Sequence, residues 1–259
     1  MIKPLSYRFG RLSGLIITCC VLLVLLFAGS VSAQSTTGTI DIQFIHTANG
    51  KQLTLRDSSY VNPFGEAYTV NKLKYYVGHF SLEGNTAAIS KEPYYMVNAA
   101  HEEDHLLLTV ETGTYHSIGF TLGVDSIDNC SGAQSGALDP LNDMFWTWNS
   151  GYIFFKLEGT SPASGADLQR IEHHIGGYKG DQNVASAVQL AFPENELLTV
   201  AANKKTTVLI ETNLDHYWNS RSEIRISAVP AIMTPGPLSK KIAANFSSLF
   251  SVKKMNDIP

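Results

Sequence analysis

The run His101-Glu102-Glu103-Asp104-His105 reproduces the His-Glu-x-x-His spacing of zinc metalloproteases. That spacing works when a helix sets two imidazoles one turn apart on one face, with the glutamate beside a metal-bound water. Here it lies between an extended run, Tyr94 to Asn98, and a strand-like run, Leu106 to Val110, with no apolar helical stripe around it. It therefore reads as an acidic loop between strands. No third ligand follows at a protease-like spacing, and the chain carries no Gly-x-Ser-x-Gly elbow and no phosphate-cradling glycine loop. These residues compose no catalytic set, so the expected role is binding and not catalysis.

A second group with metal chemistry lies between Asp125 and Asp143. Asp125, Asp128, Asn129, Asp139 and Asp143 offer the hard oxygen donors that calcium takes in six to eight positions. Their spacing is not that of an EF-hand, and Asp and Asn also build turns. Cys130 sits in the same turn-like stretch, where a thiol serves as a soft ligand or as a small buried residue.

The elements that must position these residues are short β-favouring runs: Thr39 to His46, Leu73 to Leu82, Tyr94 to Asn98, Leu106 to Val110, Ser117 to Gly123, Tyr152 to Leu157, Ala187 to Phe192, Leu197 to Ala201, Thr206 to Thr212 and Ile224 to Ile232. Turn residues such as Glu83-Gly84-Asn85 and Pro193-Glu194-Asn195 punctuate them, as antiparallel neighbours require. The expected fold is all-β, an antiparallel β-sandwich with long loops. Residues 125–143 and 160–186 break the rhythm as polar, Gly-rich insertions, and long loops in compact domains are often functional. One helix is expected, Leu238 to Phe250, with Ile242, Phe246, Leu249 and Phe250 on its apolar face.

The N-terminus reads as a secretory signal peptide over residues 1–33. Lys3, Arg8 and Arg11 precede an uncharged run from Leu15 to Ala28, and Val31-Ser32-Ala33 forms a small-residue cleavage site before Gln34. The apolar run is shorter than the roughly 20 residues a membrane span needs. Cleavage after Ala33 is expected, leaving one domain, 34–259, that is periplasmic or secreted and does not span a membrane. The leader takes three of the 19 basic residues and none of the 23 acidic ones, so the mature chain moves from −4 to −7. Nucleic acid is an unsuitable partner for such a chain. Only Cys130 remains after cleavage, so an intramolecular disulfide is excluded.

Three segments carry a family resemblance: Gly123-Val124-Asp125-Ser126, then Met144-Phe145-Trp146-Thr147-Trp148-Asn149-Ser150-Gly151-Tyr152, then His173-His174-Ile175-Gly176-Gly177. With Lys72-Leu73-Lys74-Tyr75-Tyr76 and Ile242-Ala243-Ala244-Asn245, they resemble the MbnP-like family of periplasmic copper-binding proteins associated with methanobactin operons. The resemblance implies copper held by histidine together with a tryptophan that a partner dihaem enzyme has oxidised to kynurenine. Opening the indole converts a donor-only N–H into an aniline nitrogen with a free lone pair, a ligand that suits copper as imidazole does. Trp146 and Trp148 match the family's Trp-x-Trp and His174 its His-aliphatic-Gly. Relatives place a second histidine in the segment corresponding to Tyr76 to Phe80. His79 is displaced there by one residue and would face the other side of a strand, so His46 on the first strand is the candidate.

The expected metal set is therefore His46, Trp146, Trp148 and His174, with copper as the ion and calcium as a further candidate. His173, His116, His216, His101 and His105 are expected at the surface. The rival reading is a non-metal binding module that presents Phe145, Trp146, Trp148 and Tyr152 to a glycan or a protein.

Overall fold

The computed structural model describes residues 36–84, 88–89, 94–101, 105–132, 134–147, 150–193 and 196–258. From the N-terminal side these form β1 (Thr37–Ala48), β2 (Lys51–Gln52), β3 (Ser59–Val61), β4 (Ala67–Gly84), β5 (Ala88–Ile89), β6 (Tyr94–Asn98), β7 (His105–Glu111) and β8 (Gly113–Leu122). A short helix, Ser126–Cys130, leads to β9 (Phe145–Thr147), β10 (Gly151–Tyr152), β11 (Phe155–Thr160), β12 (Arg170–Ile175), β13 (Ser186–Ala191), β14 (Leu198–Val200) and β15 (Lys205–Asn213). After the helix Leu214–Trp218 come β16 (Ala231–Ile232), the helix Pro237–Ala243 and β17 (Phe250–Ile258).

The strands follow from alternation. In β7, Leu106, Leu108 and Val110 are buried while His105, Leu107, Thr109 and Glu111 are exposed. β15 buries Thr206, Val208, Ile210 and Thr212 in the same way. The first sheet runs β17-β15-β1-β2, with β7 also on β1; the second runs β13-β8-β4-β11-β12-β16, with β3, β5 and β6 on β4 and β14 on β8. Aromatic side chains of the two sheets meet between them. Phe44 of β1 stands edge-on to Tyr75 of β4 at 5.9 Å and to Phe120 of β8 at 6.1 Å, and Phe250 of β17 reaches Phe120 at 5.1 Å. Such edge-to-face pairs add to the burial of the rings.

The all-β fold is as expected, but the connectivity is not purely antiparallel. β1 pairs β15 in parallel, with Ile42 opposite Val208, and β12 pairs β16 in parallel. A parallel pair needs a long crossover; nearly the whole second sheet lies between β1 and β15, and no local turn signal reports such a pairing.

Three expected segments are corrected. Residues 160–186 are not a loop insertion, since β12 (Arg170–Ile175) lies in the second sheet between β11 and β16. Of the expected strand Ile224 to Ile232, only Ala231–Ile232 is extended, although Ile224 and Ile226 are buried. The C-terminal helix stops at Ala243, a 3-10 turn covers Phe246–Ser248, and the chain then enters β17. Ile242, Phe246, Leu249 and Phe250 are nevertheless all buried, as the apolar pattern requires.

Candidate metal centre

β4, β11 and β12 lie side by side, and their register divides the candidate residues between two faces. Tyr75, Phe155 and Ile175 form one cross-strand row; Lys74, Lys156 and His174 form the next. Adjacent rows of a pleated sheet point to opposite faces. The Tyr75 row faces the aromatic core. The Lys74 row, with Lys72 and Glu158 beside it, faces away.

His174 is buried on this second face, and its Nε2 lies 2.9 Å from Glu158 Oε1. A carboxylate only accepts, so Nε2–H donates, and in the neutral imidazole the lone pair of Nδ1 is left over. That is the arrangement in which a carboxylate orients a ligating imidazole. The hydrogen bond from His174, helped by Lys72 at 3.2 Å, holds Glu158 at about 2. Lys72 also reaches Asp143 Oδ2 at 2.8 Å, and the buried Lys156 reaches Asp143 Oδ1 at 3.0 Å and donates to the Asp143 carbonyl. Burial would raise the pKa of Asp143, but the two ammonium groups outweigh it and hold the carboxyl at about 2.

Asp143 leads directly into the β9–β10 hairpin that carries Trp146. Ile153 N–H donates to Met144 O at 2.8 Å, and Phe154 N–H to Ile175 O at 2.7 Å, which ties the hairpin base to the end of β12. The Trp146 indole lies on Gly176: a Cβ there would stand 2.9 Å from its Cζ3. Gly176 is two residues beyond His174, so the indole is placed close to the His174 end of β12. The Trp146 Nε1–H is buried and has no partner among the described residues. Trp148 lies outside the described residues.

The same end of the sheet collects the remaining motif segment. Asn129 Oδ1 accepts from Tyr152 N at 2.9 Å, while its Nδ2 donates to Val124 O and Asp125 O. Gly151, at φ +76°, lets the Asn129 amide approach: a Cβ would lie 2.2 Å from Oδ1. Ser126 Oγ donates to Tyr178 O at 2.7 Å. The three family-like segments, distant in sequence, thus meet in one place.

Within this meeting place His79, Asp125 and Asp128 bring ligand atoms within 4.8 Å of one another. The strand-alternation argument against His79 does not apply, because β4 bulges between Gly78 and Ser81 and His79 sits at φ +50°. A bulge re-aims its side chain. His79 is exposed, with Nε2 2.8 Å from Tyr94 Oη and 3.5 Å from Asp125 Oδ2. Asp125 also caps the Ser126–Cys130 helix, accepting from Asp128 N at 2.8 Å. The oxygen set read from the sequence is dispersed: Asp139 accepts from Leu141 N, Asn129 is spent on backbone, and Asp143 belongs to the lysines. An imidazole with two carboxylates suits a transition ion better than calcium. Cys130 is exposed.

His46 lies elsewhere. Its Nε2 is 3.0 Å from Tyr75 Oη, which continues to Thr212 Oγ1 at 2.8 Å, so it faces the core side of the second sheet, and burial lowers its pKa to about 4. The sheet separates it from His174. His173, expected at the surface, is wholly buried on the core face. Its Nε2 donates to Val229 O at 2.7 Å, leaving Nδ1 to accept from Tyr217 Oη at 2.8 Å. Both nitrogens are used, and burial, with His174 nearby, lowers its pKa to about 4 against the carbonyl's opposing pull. His105 opens β7, with Nδ1 2.8 Å from the buried Asp41, and neither it nor His101 is helical. Tyr152 is buried with its hydroxyl on Leu138 O, which removes it from any exposed aromatic platform.

Among the described residues no helix is long and apolar enough to cross a membrane. No curated protein matches this sequence. Among solved structures, MbnP from Methylosinus trichosporium is similar at 14% identity and a TM-score of 0.48, over 73% of this chain and 80% of that one. The MbnP family model matches residues 37–234, and the chain belongs to the MbnP family.

Proposed function

We propose that this MbnP-family chain is exported, loses residues 1–33, and holds a transition-metal ion, copper by preference, for acquisition, storage or delivery. The ligands in this reading are His174 through Nδ1, Trp146 after oxidation to kynurenine by a partner dihaem enzyme, and Trp148. The observation that carries it is the Trp146 indole, whose N–H is buried without a partner among the described residues while its ring lies on Gly176, two residues beyond His174. A buried donor left unpaired is costly and calls for an explanation. An aniline nitrogen and ketone at that place supply acceptors able to hold a metal.

A second location is favoured by a separate observation, the approach of His79, Asp125 and Asp128 to within 4.8 Å. The resemblance favours the tryptophan site for copper, and the donor chemistry of the His79 group favours a harder divalent ion. His46 is left outside both, held by Tyr75.

The test is metal content and intact mass of the mature protein purified from periplasm, with peptide mapping across Met144 to Tyr152. The expected result is one copper per chain and an oxidised tryptophan, both lost in Trp146→Phe, with copper alone lost in His174→Ala. Unmodified tryptophan and no copper in the native preparation overturn the reading.

A further inference from the structure

A cleft of about 520 Å³ opens beside the polar face of β4, between the segment after β2 and the turn after β6. Its charged lining is Arg56, Asp57, Lys72 and Lys74, so three cationic side chains stand against one carboxylate, with Thr54, Asn71 and Asn98 as neutral polar neighbours. Leu53, Leu55 and Ala99 supply an apolar wall. The volume is in the range of small-molecule sites and too large for a single inorganic ion.

The cations are not equivalent. Lys72 is neutralised by Asp143 at 2.8 Å and Glu158 at 3.2 Å. Lys74 Nζ has a neutral partner, the Asn142 carbonyl at 3.0 Å, and makes no ion pair among the described residues. Burial pulls its pKa below the usual lysine value; Asp143 opposes this, while Lys72 and Lys156 nearby add to it and Glu158 resists weakly. Arg56 is exposed at φ +72°, held at its backbone by Arg56 N–H donating to Val70 O at 2.7 Å, and likewise has no ion pair among the described residues. Among the described residues two of the cations lining this concave surface, Lys74 and Arg56, are thus without an ion pair, in a chain of net negative charge. An anion entering here would meet two cations that have no ion pair among the described residues, which favours a charge-assisted contact.

We infer that this cleft is a binding site for a small organic anion, carrying carboxylate or phosphate groups, which takes Lys74 and Arg56 as its charge partners and lies along Leu53 and Leu55. None of the proposed copper ligands lines the cleft.

The experiment is isothermal titration of the metal-free mature protein with citrate and, separately, with glucose 6-phosphate, at two ionic strengths. Saturable one-to-one binding of at least one probe, weakened by salt, is expected; which probe binds distinguishes carboxylate from phosphate. Arg56→Ala, an exposed change that leaves the fold intact, and Lys74→Met should each weaken it by about ten- to a hundredfold, the scale of one charge-assisted hydrogen bond. Lys253→Ala, which removes a partner of Glu211 on the other sheet, should leave it unchanged. Absence of saturable binding of both probes, or binding indifferent to Arg56→Ala, overturns the inference. Because the titration is run without metal, failure here and failure of the copper reading are read separately.

Discussion

Lys156 is almost fully buried, and its ammonium is held by Asp143 twice, through the main-chain carbonyl and through Oδ1 at 3.0 Å. This clamps β11 to the residue from which the Trp146 hairpin departs. Lys156→Met keeps the bulk of the side chain but releases Asp143, which is half exposed and rehydrates. A loss of about 1 to 3 kcal/mol is expected, together with weaker metal retention. Urea unfolding checks it: an unchanged midpoint would mean that the clamp contributes nothing.

Acid should destabilise the fold in two windows. His46 and His173 have folded pKa values of about 4 against an ordinary 6.5. The unfolded chain binds more protons between those values, so stability falls as pH drops from 6.5 toward 4. For the fully buried His173 the difference corresponds to about 3 kcal/mol. Glu158 and Asp143, at about 2 against ordinary values of 4.5 and 3.8, add a loss below pH 4.5. Unfolding free energy should be level at pH 8 and decline from about pH 6.5 down to pH 3; removal of His173 as His173→Gln should flatten the upper window.

Gly176→Ala places a Cβ 2.5 Å from the Tyr152 carbonyl and 2.9 Å from the Trp146 ring. The carbonyl cannot yield cheaply, so the hairpin must shift. A cost of about 1 to 3 kcal/mol is expected, as for other overpacked sites. Copper content should fall with it, and a variant with wild-type copper content would show that Trp146 need not lie against β12.

Asp125→Asn with Asp128→Asn removes two carboxylates from the His79 group while leaving Asn at the helix cap, where it serves as well as Asp. Binding of zinc at that group should fall at least tenfold in equilibrium dialysis, with His46→Ala as the unchanged control. Equal zinc binding by wild type and double variant would rule out the His79 location.

Stripping metal from the native preparation with a chelator should lower the thermal midpoint. An ion present at a hundred times its dissociation constant contributes about 2.7 kcal/mol to the folded state. Calorimetry before and after chelation tests this, and no shift would mean that the ion does not bind the native fold preferentially.

The parts of this architecture that rest on local pattern were legible. Alternation located β7 and β15 and a β-favouring run located β6, and the apolar positions Ile242, Phe246, Leu249 and Phe250 are buried although their helix ends early. β12 was missed because Glu172 and His174, which belong to the ion-paired face, make a strand inside a sheet look like a polar loop. His173 was misplaced for the same reason: its neighbour's polarity concealed the alternation that buries it. His79 could be set right only by the bulge at Gly78–Ser81, which no residue type announces. The convergence of the three motif segments depends on Asn129, Ser126 and Gly151 crossing between loops, a tertiary fact that spacing does not encode.

The parallel pairing of β1 with β15 has a consequence for the order of assembly. β1 has β7 on one side, and its other edge stays open until Lys205–Asn213 has arrived. The first sheet thus cannot close on a nascent chain until about four fifths of the sequence is present, a high-contact-order topology of the slow-folding class. A chain built this way stays without its final sheet through most of its synthesis and completes it late.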